Sequence, residues 1–175
     1  MREARARDLM TSPAIACRGE AFFEEVAEAL ADRDISGVPV VDAKNRVVGI
    51  LSERDLAHAL GSPLVRLAVR RHGDGSVVRD IIDLPREERR AKHLMTTPAI
   101  VCRDDAPLSE VARSMAEHDV NRLPVVRDGR LVGVVTRGDV LRAVGGLERK
   151  TVARTAGSIL IGADRPLGLP SISLT

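Results

Sequence analysis

The chain contains one unit twice. Residues 8–18, DLMTSPAIACR, return as residues 93–103, HLMTTPAIVCR. Met10 and Met95 stand 85 positions apart (95 − 10), as do Pro13 and Pro98, and Val26 and Val111. The run Val38-Pro39-Val40-Val41 returns in the same register as Leu123-Pro124-Val125-Val126. One residue then drops out, so that Gly49 matches Gly133 and Asp55 matches Asp139 at an offset of 84. Turns lie on the surface and absorb such a slip most easily. Any structure for this chain must seat two copies of one unit.

Each copy reads the same way. A short extended segment follows the proline, Ala14–Cys17 and Ala99–Cys102. A helix comes next, its apolar stripe predicted at Phe22, Val26, Ala27 and Leu30, then at Leu108, Val111, Ala112 and Met115; that spacing gives one buried face. Asp104-Asp105 suit the positive end of the second helix, and Pro107 its first turn. Two β-rich runs follow, Val38–Val41 with Val47–Leu51 and Leu123–Val126 with Leu131–Val135. Arg127-Asp128-Gly129-Arg130 is a tight-hairpin signal, and Asp42–Arg46, one residue longer, accounts for the slip. A last helix starts near Glu53 and Gly138. The expected fold is mixed α/β (α+β): two β-α-β-β-α units, each short of strands, packed about a pseudo-two-fold axis. The units span 8–60 and 93–145. Between them, 61–92 is expected to be a helical connection containing LVRLAVRR and a solvated charged helix around Arg86–Arg90, with Leu64, Leu67 and Ala68 as a core or interface stripe. A C-terminal tail, 146–175, matches nothing in the other copy.

These residues resemble the cystathionine-β-synthase (CBS) domain, and two in tandem resemble a Bateman module. Leu-Met-Thr-x-Pro opens each copy, and VPVVD and LPVVR carry the strand pattern. Most specific is Gly-h-h-Ser/Thr-x-x-Asp, here Gly49-Ile-Leu-Ser52-Glu-Arg-Asp55 and Gly133-Val-Val-Thr136-Arg-Gly-Asp139. The resemblance implies a cleft on each side of the pair, each a site for an adenosine nucleotide. The first would unite Ile50, Ser52, Arg54 and Asp55 with Ala99, Ile100, Val120, Asn121 and Arg122. The second would unite Val134, Thr136 and Asp139 with Ala14, Ile15, Ile35, Ser36 and Gly37. A carboxylate one turn beyond a hydroxyl suits a ribose diol, while the helix N-terminus suits a phosphate. The same residues also fit plain capping boxes. Where the first cleft has Arg122 and Arg54 the second has Gly37 and Gly138, so the first is expected to hold phosphate more tightly; Arg137 is a further candidate in the second.

Composition narrows the functions. Twenty-seven Lys and Arg against 25 Asp and Glu leave no bulk charge for nucleic acid, and Phe22 and Phe23 are the only aromatics. No apolar run approaches a membrane span, and no apolar core follows the N-terminal charges, so the expectation is a soluble, cytoplasmic chain. Cys17 and Cys102 occupy matching positions and read as small buried hydrophobes. His58, His72, His93 and His118 show no metal-ligand spacing, and no nucleophile–base pair or phosphate loop is present. The expected function is therefore non-enzymatic: a regulatory module sensing AMP, ADP or ATP, needing no cofactor, forming a homodimer and acting through an effector protein. Alternatives are an interaction module whose clefts are empty or filled by the tail Leu167–Thr175, and a binder of S-adenosylmethionine or nucleic acid.

Overall fold

The computed structural model describes residues 3–61, 66–71, 77–82, 89–146 and 158–161. The first repeat comprises α1 (Ala6–Leu9), β1 (Ala14–Arg18), α2 (Phe23–Asp32), β2 (Gly37–Val41), β3 (Val47–Ser52) and α3 (Glu53–Gly61). A hairpin of β4 (Arg66–Arg71) and β5 (Val77–Ile82) follows. The second repeat comprises α4 (Ala91–Leu94), β6 (Thr96–Thr97), β7 (Cys102–Arg103), α5 (Leu108–Glu117), β8 (Arg122–Arg127), β9 (Arg130–Thr136) and α6 (Arg137–Val144). A last strand, β10, spans Ser158–Ile161. The strands form a seven-stranded sheet in the order β10-β1-β2-β3-β6-β4-β5 and a three-stranded sheet, β7-β8-β9. The β-α-β-β-α order recurs as expected, and Asp128 and Gly129, both at positive φ, make the two-residue turn between β8 and β9.

Each repeat has its own core. Phe23, Val26, Leu30, Val38, Val40 and Leu51 fill the first. Val111, Met115, Leu123, Val125 and Val135 fill the second. Between them lies a smaller cluster of Ala14, Ala16, Val41 and Leu131. The repeats also exchange their leading segments. Ala6 of the first copy is buried in the second core, and Ala91 and Leu94 of the second copy are buried in the first. The backbone bonds match pair for pair. Ala6 N–H donates to Ala106 O at 2.8 Å and Arg7 N–H to Asp104 O at 2.9 Å; Ala91 N–H donates to Ala21 O and Lys92 N–H to Gly19 O, each at 2.9 Å.

The exchange explains the methionine and glycine of the repeated motifs. Thr11 pairs with Val134 and, symmetrically, Thr96 with Ile50. Met95 thereby lies over Gly49, where a Cβ would stand 2.5 Å from its sulfur, and Met10 lies equally close over Gly133. Only glycine admits so near an approach.

The described part of the connection is β-hairpin rather than helix: Arg66↔Ile82 through Arg71↔Val77 pair antiparallel. RLAVRR and VVRDII flank a Gly-containing break, and it is their pairing across that break that makes the first a strand; Leu64 lies outside the described residues. The described end of the charged lead-in, Arg89 and Arg90, is likewise not a solvated helix. Arg90 is extended as the N-cap of the one-turn α4, and Arg89 is 2% exposed, its Nη1 donating to Ala59 O at 2.6 Å. Residues 86–88 lie outside the described residues. Phe23, not Phe22, enters the first core; Phe22 caps α2 and carries the Arg90 guanidinium 3.3 Å above its ring. Asp104 and Asp105 ion-pair with Arg127 and Arg103.

Candidate functional site

Strand β3 delivers its last residue, Ser52, to the start of α3, and the helix closes on it. Ser52 N–H and Oγ–H donate to Asp55 Oδ2 at 2.7 and 2.6 Å. Thr136 does the same to Asp139 at 2.8 and 2.7 Å, and the Asp139 amide returns to Thr136 Oγ1 at 3.3 Å. Both pairs are thus capping boxes, but each uses one carboxylate oxygen for it and leaves the second for another contact.

In the first repeat Asp55, which also takes a hydrogen bond from the Thr96 side chain, lines a cavity of about 760 Å³ between the repeats. Its apolar wall is Ile50, Ala99, Ile100 and Val120. Ser52, Arg54 and Asp55 line it from the α3 side, and Asn121 and Arg122 from the start of β8. All nine residues assigned to this cleft from the sequence therefore surround one space. Burial pushes the Asp55 carboxyl above its ordinary value, against the opposing pull of the Ser52 hydrogen bonds, the charge of His58 and the Thr96 hydroxyl. Arg122 Nη1 donates to Gly37 O at 2.8 Å, and Nη2 bonds Ser36 Oγ. Burial lowers the Arg122 pKa, while Glu53 and Asp55 counteract it.

Further lining residues escaped the sequence. Thr96 and Pro98 come from the Leu-Met-Thr-x-Pro motif itself, and Glu53 and His58 flank Asp55 on α3. His118 and Asp119 close the end of α5, with His118 Nδ1 donating to Ser114 O at 2.9 Å. Metal-ligand spacing among histidines says nothing about a shared cavity, so it could not reveal His58 and His118 here. His93 Nδ1 instead accepts from Arg90 N–H, and His72 lies outside the described residues.

The second cleft is assembled differently. Ser36, assigned to it from the sequence, lines the first cavity, and the Gly37 carbonyl turns to Arg122. Ala14 is buried beside the partly buried Val134, and Ile15 and Ile35 pack onto the first core. The second oxygen of Asp139, Oδ1, is held by Arg142 Nη2 at 2.6 Å. Arg137 is the first residue of α6. Cys17 and Cys102 are buried in separate cores, their thiols pushed up to about 12 by burial. Among the described residues no three His, Cys, Asp or Glu side chains gather as a metal site, and no helix is long and apolar enough to cross a membrane.

Comparison with known proteins supplies the context for this geometry. The CBS-domain family profile matches residues 6–62 and 91–146. Two Methanocaldococcus jannaschii proteins are similar in sequence. MJ1225 is 27% identical over 139 residues, covering 79% of this chain but 42% of its own length; MJ1426 is 28% identical over 159 residues, covering 79% of this chain and 89% of its own. The CBS domain pair of MJ0100, solved with 5′-methylthioadenosine and S-adenosyl-L-methionine, superposes with a TM-score of 0.65 at 26% identity, over 84% of this chain and all of that one. CBSX2 in complex with AMP gives 0.62 at 25% identity, over 83% of this chain and 98% of that one. Both of these CBS pairs were solved with adenosine-containing ligands. With its two matched repeats, exchanged leading segments and paired capping boxes, this chain belongs to the CBS-domain family and is a tandem CBS pair.

Proposed function

We propose that the chain is a regulatory module that binds one adenosine-containing ligand in the first cleft and passes that occupancy to a partner or to its own oligomer. The supporting observation is the 760 Å³ cavity, lined by an acidic helix start and by the apolar side chains Ile50, Ile100 and Val120. The volume falls in the range of small-molecule sites. A base fits the slot of Ile50, Ile100 and Val120, and a ribose diol donates to Asp55. A phosphate then meets the N-terminus of α3, with Arg54 at its edge. The CBS pairs that this chain resembles bind AMP or S-adenosylmethionine.

The charge of the cavity refines the choice. Glu53, Asp55 and Asp119 oppose Arg54 and Arg122, and both Nη groups of Arg122 are already engaged. One phosphate is tolerated there; a polyphosphate adds repulsion that two arginines do not offset. AMP is therefore favoured over ATP. The excess of carboxylates equally favours the cationic S-adenosylmethionine as a second ligand. Equilibrium dialysis of AMP, ATP, adenosine and S-adenosylmethionine tests this, read at the adenine band, where a chain without Trp or Tyr is nearly transparent. Saturable binding lost in Asp55→Ala is the expected result. Absence of binding by a folded, ligand-free preparation would leave an interaction module. Arg122→Ala is expected to weaken AMP more than adenosine, and equal losses would remove Arg122 from the phosphate end.

A further inference from the structure

We infer that the second cleft is occupied by the chain's own C-terminal strand, so that the two repeats hold different occupants: an adenosine ligand in the first cleft and a peptide strand in the second. The inference rests on the first-cleft reading only for its binding assay.

The apolar half of the second cleft is filled. Strand β10 lies parallel on β1, with Ala14↔Ser158, Ile15↔Ile159, Ala16↔Leu160 and Cys17↔Ile161 in register. Leu160 packs against the cluster that holds Ala14, together with Val134. Ile161, 8% exposed, belongs to the core onto which Ile15 and Ile35 pack. The strand thus takes up both the backbone edge and the side chains that the cleft would present to a base. In the first cleft the matching backbone, residues 99–101, forms no strand before β7 begins at Cys102, and Ala99 and Ile100 line open space instead.

The polar half is filled independently. Arg142 Nη2 holds Asp139 Oδ1 at 2.6 Å, and the Asp139 side chain is 1% exposed. The guanidinium folds back over the helix start, where a Cβ at Gly138 would stand 3.4 Å from Nη1. Sequence explains the contrast: Gly138 and Arg142 stand where the first repeat has Arg54 and His58. A glycine opens the space into which the arginine one turn later folds, onto the oxygen a ribose would use. A ligand entering this cleft must displace both Arg142 and β10.

Ligand stoichiometry in the full chain tests this. AMP and S-adenosylmethionine are expected to bind once per chain, with binding lost in Asp55→Ala and unchanged in Asp139→Ala. The full-length variant Leu160→Asp/Ile161→Asp/Arg142→Ala is expected to bind twice, the second site vanishing on adding Asp139→Ala; a chain ending at Gly157 with Arg142→Ala serves if the aspartates prevent folding. Two sites in the wild type, one of them lost in Asp139→Ala, would overturn the inference, as would a folded variant that still binds once. If neither protein binds any of these ligands, the first-cleft reading fails and hydrogen exchange decides the strand. Peptides covering Ala14–Cys17 are expected to be protected in the wild type and to exchange faster in Leu160→Asp/Ile161→Asp, and equal exchange would refute occupancy by β10.

Discussion

Gly49→Ala is expected to destabilise the chain through one cross-repeat contact. The added Cβ would lie 2.5 Å from Met95 Sδ, 2.9 Å from Met95 Cγ and 3.0 Å from Thr96 O. Overpacking of this sort costs about 1–3 kcal/mol. The methionine can swing aside, but the Thr96 carbonyl belongs to the Thr96–Ile50 pairing and cannot move without loosening it. About 2 kcal/mol follows, or a fall in Tm of roughly 4–8 °C for a chain of this size. Met95→Ala alone, at a half-buried site, should cost about 2 kcal/mol, the lower end for removing a core side chain.

The double variant separates these effects. With the methionine gone, the methyl introduced at position 49 occupies the space left by the sulfur, and only the 3.0 Å approach to the carbonyl persists. Its loss should fall about 1 kcal/mol short of the sum of the single losses, a coupling of the size expected for residues in contact. Urea unfolding followed by far-ultraviolet circular dichroism measures all three, since the chain lacks Trp and Tyr. Additivity within about 0.5 kcal/mol, the behaviour of independent sites, would refute the claim that Met95 is what excludes a side chain at position 49.

Asp55→Asn tests the raised carboxyl. A folded-state pKa above the unfolded value gives stability that is complete below the unfolded pKa and lost as pH rises through the folded one. The stability of the asparagine variant relative to wild type should therefore increase from about pH 3 towards neutrality, while its ligand affinity is lower than wild type where Asp55 is ionised and the gap narrows on acidification; a pH-independent stability difference would contradict the burial argument. In the wild type, affinity should drop on acidification at a pH above the ordinary aspartate value. Cys17 and Cys102, with thiols at about 12, should resist alkylation at about pH 8 until the chain is unfolded in urea; labelling of the native protein would show that the cores open. Arg89→Ala should cost about 2–3 kcal/mol by stranding the Ala59 carbonyl and leaving a void, measurable as a fall in urea midpoint.

The local parts of this architecture are legible in the sequence because they depend on local periodicity. The helices, the β8–β9 turn and the two capping boxes each follow from residues within a few positions of one another. The first cleft follows from the resemblance, and its nine residues do share one cavity. The exchange of leading segments is a contact between residues near 6 and near 106, and nothing in either stretch announces the other. RLAVRR satisfies a helical and a strand pattern alike, and pairing with Val77–Ile82 decides it. Phe22 and Phe23 are adjacent, so periodicity alone could not say which turns inward. The resemblance puts Ser36 and Arg122 in opposite clefts, yet a long arginine spans the distance between them.

The exchange also builds the first cleft, and that has a measurable consequence. Met95 over Gly49 and Thr96 beside Ile50 set the register of residues 96–100 against Ser52 and Asp55. The ligand's walls are therefore positioned by the same contact that joins the repeats. Met10 over Gly133 does the corresponding work for the second cleft. Gly49→Ala and Gly133→Ala, alike in sterics, should then cost similar stability but differ in binding. A shift of the 96–100 wall by a few tenths of an ångström should weaken AMP or S-adenosylmethionine roughly tenfold, about 1.4 kcal/mol, in the first variant only. Dialysis of both folded variants against the same ligands decides the matter. Equal losses would mean that the whole pair responds as one body to any disturbance, and that Met95 has no particular hold on the cleft.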